Sequence, residues 1–263
     1  MKRYWRINWV LFKNSIIRDS KMPGYIISSI LLRILDILIS ILFFNIIFHF
    51  TDNLAGWNFY QVLFLYSFAR IISVINNGWT RKGIMSMSDS LIRRGEFDFY
   101  LAKPVDTMLM VSISKPRLYN FLTLFFLIPT AVYAVVKSGI EINAINVFWF
   151  LFLSIFSLIL YYFLQVLTVV PAFWFVRLWS LRDVINRLAM FMRYPAGVFS
   201  KNIRFALMVL FPIITVSYIP SQALFYPPQI KYIIYMLIIT LFFAFLTKLL
   251  WYIGESKYSS ASS

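Results

Sequence analysis

One histidine, ten acidic residues and no cysteine leave this 263-residue chain with few means of bond chemistry. Without thiols it builds no disulfide, no thiolate metal site and no cysteine nucleophile. His49 alone cannot supply a histidine-rich zinc site, and its place at the end of an apolar run reads as interfacial. Asp36 lies inside an apolar run with no second acid nearby, so the dyad of an aspartyl protease is missing. Gly78-Trp79-Thr80-Arg81-Lys82-Gly83 has the glycine spacing of a phosphate-binding loop. Ile84 and Met85 stand where Lys and Ser/Thr must follow, so the likeness is accidental. The residues describe a chain that is not an enzyme and binds no cofactor or metal of its own. Any nucleotide hydrolysis that drives it belongs to a separate chain.

Two groups of charged residues remain. Arg33, Asp36 and Arg70 lie within apolar runs, where a charge is costly and faces a partner or a watery cavity. Arg33 and Asp36 are one helical turn apart. That spacing suits a self-neutralised pair, with Arg70 snorkelling. The same three residues suit the polar lining of a pathway or a dimer contact, and the sequence leaves both readings open. The second group is the island Arg93-Arg94-Gly95-Glu96-Phe97-Asp98-Phe99-Tyr100-Leu101-Ala102-Lys103-Pro104. Gly95 permits a sharp turn and Pro104 ends the segment. Between them, Glu96 to Lys103 is expected to form a short helix, with Glu96 and Asp98 at its positive end and Lys103 at its negative end. Phe97, Tyr100 and Leu101 then share a face as an apolar anchor. A charged island of this kind reads as a docking surface; the plainer reading is a solvated loop capping two spans.

The elements that position these groups follow from composition. The chain is 61% hydrophobic and only 13% charged, against about 25% charged in soluble domains. Lipid is the solvent this implies. Ile37 through Phe44 show no alternation of apolar and polar residues, so helices rather than a barrel are expected. The expected fold is all-α and polytopic, with six transmembrane helices in 23–253. An amphipathic interfacial helix precedes them in 1–22, where Trp5, Trp9, Phe12 and Ile16 form one stripe among basic residues. Spans are read near Tyr25–Phe48, Asn58–Gly78, Leu118–Val136, Val147–Val176 and Ile230–Ile253.

Net charge is +15, and the basic residues gather at 1–22, 79–117 and 177–204. The segments 51–57, 137–146 and 221–231 hold only Lys137 and Lys231. This is the pattern of basic cytoplasmic loops, and it places both termini inside, with 79–117 as a cytoplasmic loop and 254–263 as a cytoplasmic tail. The basic clusters are expected to meet anionic membrane lipid, not nucleic acid. The stretch 177–228 admits two paths. In one, 205–225 crosses. In the other, a polar helix near 184–199 crosses and 205–226 is a re-entrant segment before the last span, with Pro212, Pro220, Pro227 and Pro228 breaking it. No internal repeat is visible, so an inverted-repeat transporter gains no support.

The island and two later segments carry a resemblance. Arg94-Gly95-Glu96-Phe97-Asp98-Phe99-Tyr100-Leu101-Ala102-Lys103-Pro104 resembles the R-G-E-x-D-x-x-L-x-x-P loop of the ABC type-2 exporter permeases, in a bacterial subfamily once known only as a domain of unknown function. Arg193-Tyr194-Pro195 with Val198-Phe199 resembles its R-Y-P element, and Tyr258-Ser259-Ser260-Ala261-Ser262 its terminal segment. The resemblance implies the membrane subunit of an ATP-driven exporter in the bacterial cytoplasmic membrane. Cytoplasmic ABC ATPase subunits, holding ATP and Mg, would be its partners, together with a second permease half, identical or not. Arg93, Arg94, Gly95, Glu96, Phe97, Asp98, Tyr100, Leu101, Lys103 and Pro104 would then form the coupling segment. Rival readings are a channel or secondary transporter independent of any ATPase, with Arg33, Asp36 and Arg70 as its polar site, and a membrane-embedded transferase.

Overall fold

The computed structural model of the chain describes residues 2–21, 23–175 and 184–258. Helices α1 (Lys2–Ser20), α2 (Pro23–Phe50), α3 (Phe59–Trp79), α4 (Arg81–Ser86), α5 (Asp98–Leu101) and α6 (Thr107–Ile113) make the first half. The second half has α7 (Leu124–Lys137), α8 (Ala144–Leu167), α9 (Val184–Leu188), α10 (Lys201–Phe205), α11 (Thr215–Phe225) and α12 (Ile230–Ser256). A 3-10 turn, Leu118–Thr123, leads into α7, and another, Val170–Phe173, extends α8. Among the described residues there is no β-strand, only an isolated bridge between Leu54 and Trp57. Five helical runs are long and apolar enough to cross a membrane, at the five places expected from sequence.

The bundle has two distinct ends. At one, the turn 51–57 joins α2 to α3. Asn58 caps α3, its side chain accepting from the Gln61 backbone while the Gln61 side chain accepts from Asn58. The Asn58 amide also donates to the Ser138 carbonyl (3.0 Å), which ties in the turn after α7. The other end gathers the basic residues of 79–117 and the close of α12. Exposed side chains on α2 are overwhelmingly apolar, including Leu31, Leu32, Leu35, Leu38, Leu42 and Ile46, as a lipid-facing helix requires. In α1, Trp9 and Phe12 stack at 5.8 Å, and Ser15 donates to the Pro116 carbonyl (2.8 Å), fastening the helix to the basic end. The Trp5 side chain at the head of the expected stripe lies outside the described residues.

The disputed stretch takes the re-entrant path. Gly197 sits so close to the turn 51–57 that a Cβ there would come within 2.8 Å of the Ala55 side chain. At the far end of the stretch, Tyr226 donates to the Gly56 carbonyl (3.2 Å) and accepts from Gln61 (3.1 Å). Both ends of 200–226 therefore lie beside the same turn, and a segment that leaves and returns at one end is re-entrant. Its two arms, Lys201–Leu210 and α11, meet at 102°. Pro212 explains the break, since the residue before a proline is driven out of helical geometry; Phe211 has φ −129° and ψ 78°. The second arm, α11, is buried in protein, whereas the first arm buries Leu207 and leaves Ile203, Phe205, Val209 and Leu210 exposed as an apolar surface. α11 packs on α8, α3 and α12, and Ser217 donates to the Met192 carbonyl (2.6 Å). The net crossing falls to 184–199, a broken run of α9, a 3-10 turn Ala189–Arg193 and a further turn Ala196–Val198. Residues 176–183, with Arg177 and Arg182, lie outside the described residues.

Candidate functional site

The island is built as a ridge on a packed base. After α4, a π-helical turn (Met87–Leu91) leads into turns that carry residues 92–97. Gly95 has φ +70°, the left-handed conformation expected at this turn. The Phe97 backbone N–H donates to the Leu91 carbonyl (3.1 Å), which folds the turn back on itself. The helix is shorter than expected, Asp98–Leu101 rather than Glu96–Lys103.

Phe97 does not share an outward face with Leu101. It is fully buried, in a cluster with Leu91, Met108, Val166, Phe173 and Trp251. Its ring lies 5.5 Å from that of Phe173 and 5.1 Å from that of Tyr258, both edge-on. The helical register does reach Phe97, whose carbonyl accepts from the Tyr100 and Leu101 backbone N–H groups (2.8 and 3.2 Å), but the face it shares with Tyr100 is turned inward onto the base. The base is closed by polar contacts at the end of α12, where Glu255 accepts from Thr107 (2.8 Å) and from the Trp251 indole (3.1 Å). Outward stand Arg93, Arg94, Phe99, Leu101, Lys103 and Pro104. Phe99 is 72% exposed and was not among the residues singled out from sequence. The signal was present: in Phe97-Asp98-Phe99, the two rings must point to different sides of the chain. Arg94 approaches Glu96 at 3.9 Å, and Lys103 lies over the Tyr100 ring at 5.3 Å. The ridge thus presents an apolar tip between cations.

The intramembrane charges pair differently from the expectation. Asp36 does not pair with Arg33. Its carboxylate meets Arg70 of α3 at 2.6 Å and Arg193 at 3.8 Å. Arg33 instead donates to the Asn120 side-chain carbonyl (2.7 Å) and lies 3.5 Å from the Ser29 hydroxyl. Helical spacing alone permitted the Arg33–Asp36 pair, but the two side chains turn to different neighbours. Arg193, the arginine of the R-Y-P segment, also lies over the Tyr66 ring at 5.7 Å. Tyr194 packs edge-on against Phe43 and Phe44. The element therefore pins the broken crossing to α2 and α3. Among the described residues, no group of three metal-ligating side chains forms.

A family model described as ABC-2 family transporter protein matches residues 34–262. No curated protein and no solved structure gave a match. The match spans most of the chain, from within α2 to the last residues, so the chain belongs to the ABC-2 transporter family. It is an all-α multi-pass membrane protein and a transport protein by family.

Proposed function

We propose that this ABC-2 family member is the permease subunit of an ATP-driven exporter, worked by ATPase subunits on separate chains. The observation that carries the reading is the ridge at 93–104. An apolar tip flanked by cations is held out from the basic end on a fully packed base. A docking element needs both features: exposed anchors to engage a partner, and a rigid footing so that the engagement moves something. Arg93, Arg94, Phe99, Leu101 and Lys103 make the contact. Gly95, Glu96, Phe97, Asp98, Tyr100 and Pro104 shape and hold it. ATP and Mg are bound by the partner. The basic end faces the cytoplasm of a bacterial cell, following the distribution of Lys and Arg.

Force on the ridge passes through Phe97 and the Thr107–Glu255 contact to the ends of α8 and α12. Through α4 it reaches α3. In the assembled transporter a second permease half, identical or not, completes the pathway. The test is co-purification with the ATPase. Exchanging Arg93, Arg94 and Lys103 for Glu, together with Phe99→Ala, is expected to leave membrane insertion intact and abolish capture of the ATPase. Full capture and full transport by that variant would remove the ridge from the coupling role.

A further inference from the structure

At the basic end, α2, the α3–α4 junction and the chain entering α7 enclose a cavity of about 370 Å³. Its size is that of small-ligand sites, about 300–1,000 Å³. Arg33, Arg81, Lys82 and Arg117 line it, and no carboxylate does. Among the described residues, Arg33, Arg81 and Arg117 have no carboxylate at ion-pair distance. Arg33 rests on the neutral amide of Asn120, whose own NH2 donates to the Asn77 carbonyl (3.3 Å). Tyr25 and Tyr119 add hydroxyl groups, 3.3 Å from each other. A neighbouring cavity of about 390 Å³ shares Tyr25, Lys82, Arg117 and Tyr119, adds Lys115, and has Asp19 as its one acid. On the other side, Asn77 and Arg81 also line a recess of about 100 Å³ that reaches Arg70 and Arg193.

Converging guanidinium groups repel one another, and partial burial strengthens that repulsion. A structural cluster would recruit a carboxylate, as Asp36 is recruited by Arg70 and Arg193 a short way inside. Around Arg33, Arg81 and Arg117 the described residues place no carboxylate, and neutral groups hold the Arg33 side chain and the Arg117 backbone. The backbone N–H of Arg117 donates to the Gly78 carbonyl (2.7 Å), which fixes its position against α3. Fixed arginine forks with hydroxyl and amide donors beside them are the means by which proteins hold phosphate oxygens.

We propose that this cavity is a binding site for a phosphate-bearing anionic group, entered at the headgroup level of the basic end. The site stands apart from the ridge, and its occupancy does not depend on an ATPase. The shared chemistry is the phosphate, which arrives either on a lipid headgroup or free in solution.

The test uses the full chain purified in neutral detergent, with fluorescent phosphatidylglycerol as the probe, phosphatidylcholine as the neutral-headgroup control and inorganic phosphate as competitor. Phosphatidylglycerol is expected to bind more tightly than phosphatidylcholine. Arg81→Gln and Arg117→Gln are each expected to weaken that binding about tenfold, the effect of losing one charge-assisted contact. Lys137→Gln, at the opposite end, is expected to leave it unchanged. Displacement by inorganic phosphate identifies the free anion as sufficient; failure to displace identifies a lipid headgroup as the ligand. The double variant Arg81→Lys with Arg117→Lys keeps charge and fold while removing both forks, and its thermal unfolding is followed alongside. Equal binding of the two lipids by the native chain, or undiminished binding in a folded Gln variant, would overturn the site.

Discussion

Phe97 and Phe99 are two residues apart and are expected to fail in opposite ways. The Phe97 ring is fully buried among Phe173, Trp251 and Tyr258. Truncating such a ring to alanine costs about 3–5 kcal/mol, because transfer energy is lost and a cavity remains. Phe99 is 72% exposed, and a surface substitution of that kind changes stability by about 0.5 kcal/mol or less. If Phe99 is the anchor of an ATPase contact, its truncation instead removes a hot spot of about 2 kcal/mol, close to a thirtyfold loss of affinity. Phe97→Ala should therefore lower the thermal midpoint of the purified chain clearly, with ATPase binding impaired only as the loop loosens. Phe99→Ala should unfold like the native chain and bind the ATPase about thirtyfold more weakly by titration. The reasoning fails if Phe99→Ala binds at native affinity, or if Phe97→Ala unfolds at the native midpoint.

Asp36→Ala should cost about 2 kcal/mol, less than the roughly 3–5 kcal/mol for breaking a fully buried pair, since Asp36 is partly exposed. Asp36→Leu with Arg70→Leu should recover much of it, and Arg33→Leu should be mild; denaturant unfolding in detergent distinguishes these from an Arg33–Asp36 pair, for which Arg33→Leu would match Asp36→Ala. The Asn146 amide donates to the carbonyls of Ala223 (3.1 Å) and Tyr226 (3.0 Å), closing the re-entrant segment. Asn146→Ala should destabilise by about 2 kcal/mol, with protection from hydrogen exchange lost first in 215–226. Cysteines introduced at Asp52 and Glu141 should react with an impermeant thiol reagent in intact cells, and one at Ser256 should not; labelling at Ser256 alone would invert the orientation.

What was legible in the sequence was what depends on local chain alone. The long apolar runs marked the spans, among them the one near Asn58–Gly78 that is α3. Gly95 was read as a turn glycine because few other residues tolerate its backbone angles. What was not legible depends on which neighbour a side chain meets. Asp36 has Arg33 at helical spacing, yet its partners come from positions 70 and 193, which no periodicity links to it. The sequence left the crossing at 184–199 as one of two paths for the same reason. Arg193 counts against a span until Asp36 is seen beside it. From sequence, Phe97 reads as an outward anchor and Phe99 is passed over, and only the packing on α8 and α12 reverses the two.

The position of α3 joins these features. Its apolar window is 67% buried, against 11% for α2, so it is the internal post of the bundle. It offers Gln61 to the re-entrant segment, Arg70 to Asp36 and Asn77 to the cationic cavity. Thr80 alone separates it from α4, which leads to the ridge. In the proposed coupling, a push on the ridge therefore reaches α3 before it reaches α2. The charged link between those helices among the described residues is the Asp36 side chain, held by Arg70 and by Arg193 of the broken crossing, beside a long hydrogen bond from the Tyr66 hydroxyl to the Asp36 carbonyl (3.5 Å). A helix as little buried as α2 follows α3 only as far as that link holds. Weakening it without unfolding the chain, as Asp36→Asn would, should let α3 move while α2 stays. ATP hydrolysis should then continue while transport falls. If hydrolysis and transport fell together, the link would serve assembly rather than motion.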